Sequence, residues 1–66
     1  MKNRIKVERA EKNITQQQLA VAVNVSRQTI VAIEKGRFLP STLLALKIAR
    51  YFGKPLESIF ILEETD

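Results

Sequence analysis

Three residues, Asn24-Val25-Ser26, are all that separate two stretches whose apolar side chains recur at helical spacing. So short a joint forces two helix axes to turn sharply against each other, and the rest of the chain must accommodate that corner. The residues on either side agree with it. Thr15 is a good N-cap, Gln18 completes a capping-box pattern, and Ile14 before the cap can staple onto Leu19. The second helix, roughly Gln16–Val23, then has Leu19, Ala20 and Val23 as its buried side. Asn24 can supply the positive backbone angle of the turn, while Val25 points inward. Ser26 caps a third helix over about Arg27–Lys35, which docks through Ile30 and Ile33 and is stopped by Gly36.

The same punctuation marks the remaining elements. Lys12-Asn13 ends a first helical stretch, because Asn tolerates the left-handed conformation of a helix stop. After the loop Arg37-Phe38-Leu39-Pro40, Ser41 caps a fourth helix. Leu43, Leu44, Ala45, Leu46, Ile48, Ala49 and Phe52 make that helix strongly apolar, which puts it at the centre of the core. Gly53 ends it, Pro55 opens a short fifth helix over about Leu56–Ile59, and Phe60–Leu62 leave in an extended run. Five short helices with tight connections describe an all-α fold, a single helix-turn-helix domain over 1–66 with the motif at about 16–35.

Composition narrows the chemistry. The chain has 66 residues, enough for one small core with a thin margin of stability. It has no cysteine and no histidine, which removes disulfides, thiolate metal sites, the commonest metal ligand and the usual general base. No two of its Glu, Asp, Lys or Tyr51 side chains form a recognisable catalytic site, so neither an enzyme nor a bound cofactor is expected. The N-terminus runs straight into an amphipathic pattern without a signal peptide or a bilayer-long span, which predicts a cytoplasmic protein with no membrane partner.

Charge is distributed unevenly. From Met1 to Arg37 eight Lys or Arg face three Glu, whereas from Phe38 onward three basic residues face four acidic ones. A positive half backed by a slightly acidic one suits a polyanion-binding face; ordinary solvated charge is the plainer alternative.

That face is found on the third helix. Arg27, Gln28, Val31, Ala32 and Lys35 lie opposite the two buried isoleucines, with Ser26 at the start of the same surface. A helix with such an outer side fits the major groove, about 12 Å wide. Arg27 can pair bidentately with guanine and Gln28 with adenine, Val31 offers methyl groups to thymine, and small Ala32 allows close approach. Arg27 and Gln28 are also good first-turn helix formers that surfaces carry for solubility alone. The constellation as a whole predicts double-stranded DNA as the partner.

The runs Thr15-Gln16-Gln17-Gln18-Leu19-Ala20, Val25-Ser26-Arg27-Gln28-Thr29-Ile30 and Ile33-Glu34-Lys35-Gly36 together resemble the Cro/C1-type (XRE family) helix-turn-helix regulators. Pro40-Ser41, the Leu-rich fourth helix and Pro55-Leu56-Glu57-Ser58-Ile59-Phe60 extend the likeness over about Lys2 to Leu62. The resemblance implies a five-helix, lambda-repressor-like fold in a minimal regulator without a sensor domain or small-molecule effector, acting as a repressor or autoregulator. It further implies phosphate contacts from Gln16 and Gln17 at the start of the second helix, from Lys35 and Arg37, and from the Ser41 region. Gln16 also lies near a helix N-terminus, where backbone amides favour an anion.

A structural ion pair between Arg9 and Glu34 belongs to the same family expectation. Both are charges at the edge of a core-facing stripe, where each needs a partner. Arg9 could instead pair with Glu8 or sit in solvent. The chain departs from the family pattern at Asn24, usually Gly, at Glu8, where a larger apolar residue is common, and at Val31, where a polar residue is frequent.

One such helix reads too few base pairs for a specific site, so a homodimer is expected, with half-sites about one helical turn, roughly 34 Å, apart. The apolar run Phe60-Ile61-Leu62, which could pair with Met1–Asn3 as a small strand, is either the dimer interface or the closure of the monomer's own core. The competing function is a protein-interaction module, such as the antitoxin of a toxin–antitoxin pair.

Overall fold

A computed structural model describes all residues from Met1 to Asp66. In chain order it contains β1 (Lys2–Asn3), α1 (Ile5–Lys12), α2 (Gln16–Val23), α3 (Arg27–Glu34), α4 (Thr42–Phe52), α5 (Leu56–Ile59) and β2 (Phe60–Ile61). The fold is all-helical apart from one antiparallel pair of two-residue strands, with Lys2 opposite Ile61 and Asn3 opposite Phe60.

Local chemistry sets the helix ends. The Thr15 hydroxyl accepts from the Gln18 backbone amide at 3.0 Å while Gln18 Oε1 accepts from the Thr15 backbone amide at 2.8 Å, so each side chain satisfies the other residue's orphan donor. Ser26 and Ser41 cap α3 and α4 by accepting from Thr29 and Leu44 amides at 3.2 and 3.1 Å. At the other ends the chain turns through left-handed residues, Asn13 at φ 57°, Asn24 at φ 61°, Gly36 at φ 73° and Gly53 at φ 66°. Asparagine is the non-glycine residue best suited to that region, which is how Asn24 makes the corner between α2 and α3 without a glycine.

Each helix sends at least one aliphatic side chain to the centre. Ile5, Leu19, Ile30, Ile33, Ile48 and Ile59 are fully buried, and Phe60 of β2 closes one end of the cluster. Val25 packs half-buried against it from the corner. The fourth helix departs from expectation. Leu44, Ala45, Ile48, Ala49 and Phe52 form its inner stripe, but Leu43 and Leu46 point away, 64% and 50% exposed. An α-helix at the edge of so small a core can bury only one side, and those two leucines fall on the other.

Glu8 is only 4% exposed, the one charged residue inside. Lys54, just beyond the end of α4, reaches it with Nζ at 2.9 Å and also touches Glu11 at 3.3 Å. These bonds, first to Glu8 and then to Glu11, hold the lysine pKa above its ordinary value. The pair ties α1 to the segment joining α4 and α5. Every buried side-chain polar atom finds a partner. The asymmetry of this bridge is measurable by urea unfolding. Lys54→Ala should lower the unfolding midpoint clearly, because it leaves a buried carboxylate without its cation. Glu8→Leu should lie within about 1 kcal/mol of the parent, since an apolar side chain suits that site. Equal losses for the two would contradict the account.

Candidate nucleic-acid interface

The helix that carries the outward-facing polar residues is gripped along its inner side and at its end. Ile30 and Ile33 anchor α3 in the core. One residue after Ile33, Glu34 turns back and is met by a fork from α1. Arg9 Nε donates to Glu34 Oε2 at 2.6 Å and Nη2 to Oε1 at 3.0 Å, while Nη1 donates to the Ile14 carbonyl at 3.1 Å. The pair is largely shielded, with the Glu34 side chain 7% exposed. The hydrogen bond to Glu34 outweighs the cost of burial and holds the Arg9 guanidinium above its ordinary pKa. Gln16 Nε2 reaches the same carboxylate at 3.4 Å, joining the start of α2 to the end of α3. A fourth contact comes from far away in sequence: the Asn3 amide donates to the Ile33 carbonyl at 2.9 Å, and its own oxygen accepts from the Ile5 amide at 3.3 Å.

With its back held this way, α3 exposes Arg27 and Gln28. Val31 and Ala32 do not share that exposure. Both are half-buried. Ser26 is exposed, but its hydroxyl is occupied by the cap and lies 3.0 Å from the Thr29 hydroxyl.

The other candidates fall into two groups. Gln17, Lys35, Arg37 and Ser41 are exposed, whereas Gln16 is half-buried and partly committed to Glu34. The Ser41 oxygen accepts in the α4 cap, which leaves its O–H free to donate outward. No carboxylate pairs with Arg27, Lys35 or Arg37; the ionic contacts of the chain are those of Arg9, Lys54 and the Met1 ammonium. That ammonium is held by Asp66 at 2.9 Å and Glu63 at 3.2 Å. The acidic tail is therefore drawn to the chain's other end, where Met1 borders the hollow that Lys35 also lines. The hydrogen bond to Asp66 contributes most to raising the ammonium pKa. The Asp66 carboxyl is held below its ordinary range, first by the Glu63 backbone amide and then by that ammonium.

Sequence reasoning missed Asn3, which lies thirty residues from Ile33 and carries no local signal of that contact. It also missed Lys54 as the partner of Glu8. The surface as built is a rigid helix presenting unpaired cations and amides, and it contains no group of His, Cys, Asp or Glu that could hold a metal. No helix is long and apolar enough to cross a membrane.

The sequence pattern of the helix-turn-helix family matches residues 5–59. The chain is 54% identical to an uncharacterized HTH-type transcriptional regulator of Methanocaldococcus jannaschii, over all of both chains. It is 52% identical to another from Archaeoglobus fulgidus, across all of this chain and 93% of that one. The uncharacterized HTH-type transcriptional regulator YgzD of Bacillus subtilis is 50% identical over 97% of each.

The Arg9–Glu34 bridge yields a double-mutant cycle. Arg9→Met alone should lower unfolding free energy by about 3 kcal/mol, because it strands the Glu34 carboxylate, and Arg9→Met with Glu34→Leu should recover most of that loss. Chemical denaturation of the variants measures both, and additive losses would refute the coupling.

Proposed function

The chain belongs to the Cro/C1-type helix-turn-helix family and is a DNA-binding transcriptional regulator rather than an enzyme; on that premise we propose that α3 enters the major groove of an operator and that the bound protein acts as a repressor or autoregulator. One observation carries the reading. Arg27 and Gln28 stand exposed, Arg27 without a counter-ion, on a helix whose opposite side is held by Ile30, Ile33 and the Arg9–Glu34 fork. Side chains held on a rigid element in this way keep their geometry for base edges instead of spending it on internal contacts.

In this reading Arg27 and Gln28 make the polar base contacts, the half-exposed methyls of Val31 meet a thymine methyl, and Ala32 permits close approach. Ser26 assists chiefly by fixing the first turn of α3 through its cap. Gln16, Gln17, Lys35, Arg37 and Ser41 contact phosphates and set the register without reading sequence. Gln16 does so from a side chain already steadied by Glu34. Repression then follows from occupation of the site, which denies it to other proteins. Such a regulator works in the cytoplasm.

A selection of binding sites from random duplexes, followed by titration of variants, tests the assignment. Arg27→Ala should lose about 1–3 kcal/mol on the selected site and relax base choice at one position. Lys35→Ala and Arg37→Ala should instead weaken selected and unrelated DNA alike and flatten the salt slope by roughly one unit each. An Arg27→Ala protein that keeps its full base preference would overturn the reading face.

The protein is further proposed to act as a homodimer, since two copies double an otherwise short readout. Phe60 is consumed in the monomer's own core, while Met1, Leu56, Ile61 and Leu62 line an apolar groove beside it, with Leu62 78% exposed. A second copy would cover that groove. Sedimentation should report two copies per selected duplex, with half-sites about 34 Å apart. A monomer both free and on DNA would reject the dimer.

A further inference from the structure

We propose that the N-terminal strand forms part of the DNA-binding surface, with Lys2 adding a cation for a backbone phosphodiester beside Lys35, and with Asn3 fixing where that cation stands. The inference rests on the DNA-binding reading of α3 and extends it to a segment outside the helix-turn-helix.

Three observations meet here. First, Met1, Lys2 and Asn3 line one surface depression together with Glu34, Lys35 and Gly36, so the strand lies alongside the end of α3. Second, the strand is held there and does not trail. It pairs with β2, and the Asn3 amide is bonded to the carbonyl of Ile33 in the last turn of α3. Third, the charges of the depression are unequal once internal pairs are removed. Both Glu34 oxygens are taken by Arg9, and Asp66 and Glu63 together meet the one Met1 ammonium, which leaves a single carboxylate charge in excess there against the two cations that follow. Lys2 and Lys35 are exposed and have no carboxylate partner.

What remains is a pair of free ammonium groups at the rim of a helix end, separated by a shallow hollow. Two like charges brought together repel unless an anion comes between them. A phosphodiester supplies that anion, and a duplex that meets Lys35 brings one to the same place. The strand costs little entropy to use, because its position relative to α3 is already set by Asn3.

The test is the salt dependence of binding by the full chain to the selected duplex and to an unrelated one, between 50 and 200 mM salt. Removing one phosphate contact lowers the slope of log K against log salt by about 0.9, which near 0.1 M salt is roughly an eightfold loss of affinity. Lys2→Ala should show this on both duplexes equally, and Lys2→Arg should keep the parent slope. Arg50→Ala removes one charge from the last turn of α4 and controls for net charge; its slope should stay at the parent value. In an Asn3→Ala background, with folding verified by circular dichroism, Lys2→Ala should change the slope by less than half as much. A Lys2→Ala slope equal to that of the parent or of Arg50→Ala overturns the proposal. If Lys35→Ala and Arg27→Ala still respond in that case, the DNA reading of α3 survives; if they are silent too, it falls along with the strand.

Discussion

The bidentate contact between Arg9 and Glu34 determines which way α3 faces. Ile30 and Ile33 anchor the eight-residue helix along one line of its inner side. Glu34 lies off that line, and two parallel hydrogen bonds from a planar guanidinium fix both its distance and its angle. A shielded pair of this kind contributes little net stability compared with an apolar replacement. Its value is orientational. With distance and angle fixed, the direction of Arg27 and Gln28 follows, and Gln16 is steadied by the same carboxylate.

Much of this was legible in the sequence, for a reason that differs from element to element. Thr15, Ser26, Ser41, Asn13, Asn24 and Gly53 each act on backbone groups within four residues, so their meaning travels with local spacing. The Ile30 and Ile33 stripe was equally readable, because one face of α3 is apolar and the other is not. In α4 both faces are apolar near its start, and periodicity could not say that Leu44 goes inward while Leu43 and Leu46 go out. That choice is made by what α4 packs against.

Contacts between distant residues were the least legible. Glu8 looked misplaced on a core-facing stripe, and only the fold brings Lys54 to it from the far side of α4. Asn3 reads as an unremarkable polar residue before the first helix, yet it joins the terminal strand, the start of α1 and the last turn of α3. In both cases one polar group ties together segments that share no local pattern. The candidate site shows the same division: its side-chain identities were evident, but the supports behind them were not.

The small sheet carries one more implication, for the order in which the molecule assembles. Helices α2, α3, α4 and α5 pack on partners that are near neighbours along the chain, whereas β1 must find β2 at the opposite end. Near-neighbour contacts form quickly and distant ones late, so the helical body sets the pace of folding and the sheet follows. Lys2 and Asn3 leave the ribosome before the helices, but their strand partners are missing until Phe60 and Ile61 emerge. The strand that precedes the helices is thus the last to be secured, and α3 gains its final brace only after Phe60 and Ile61 have been made.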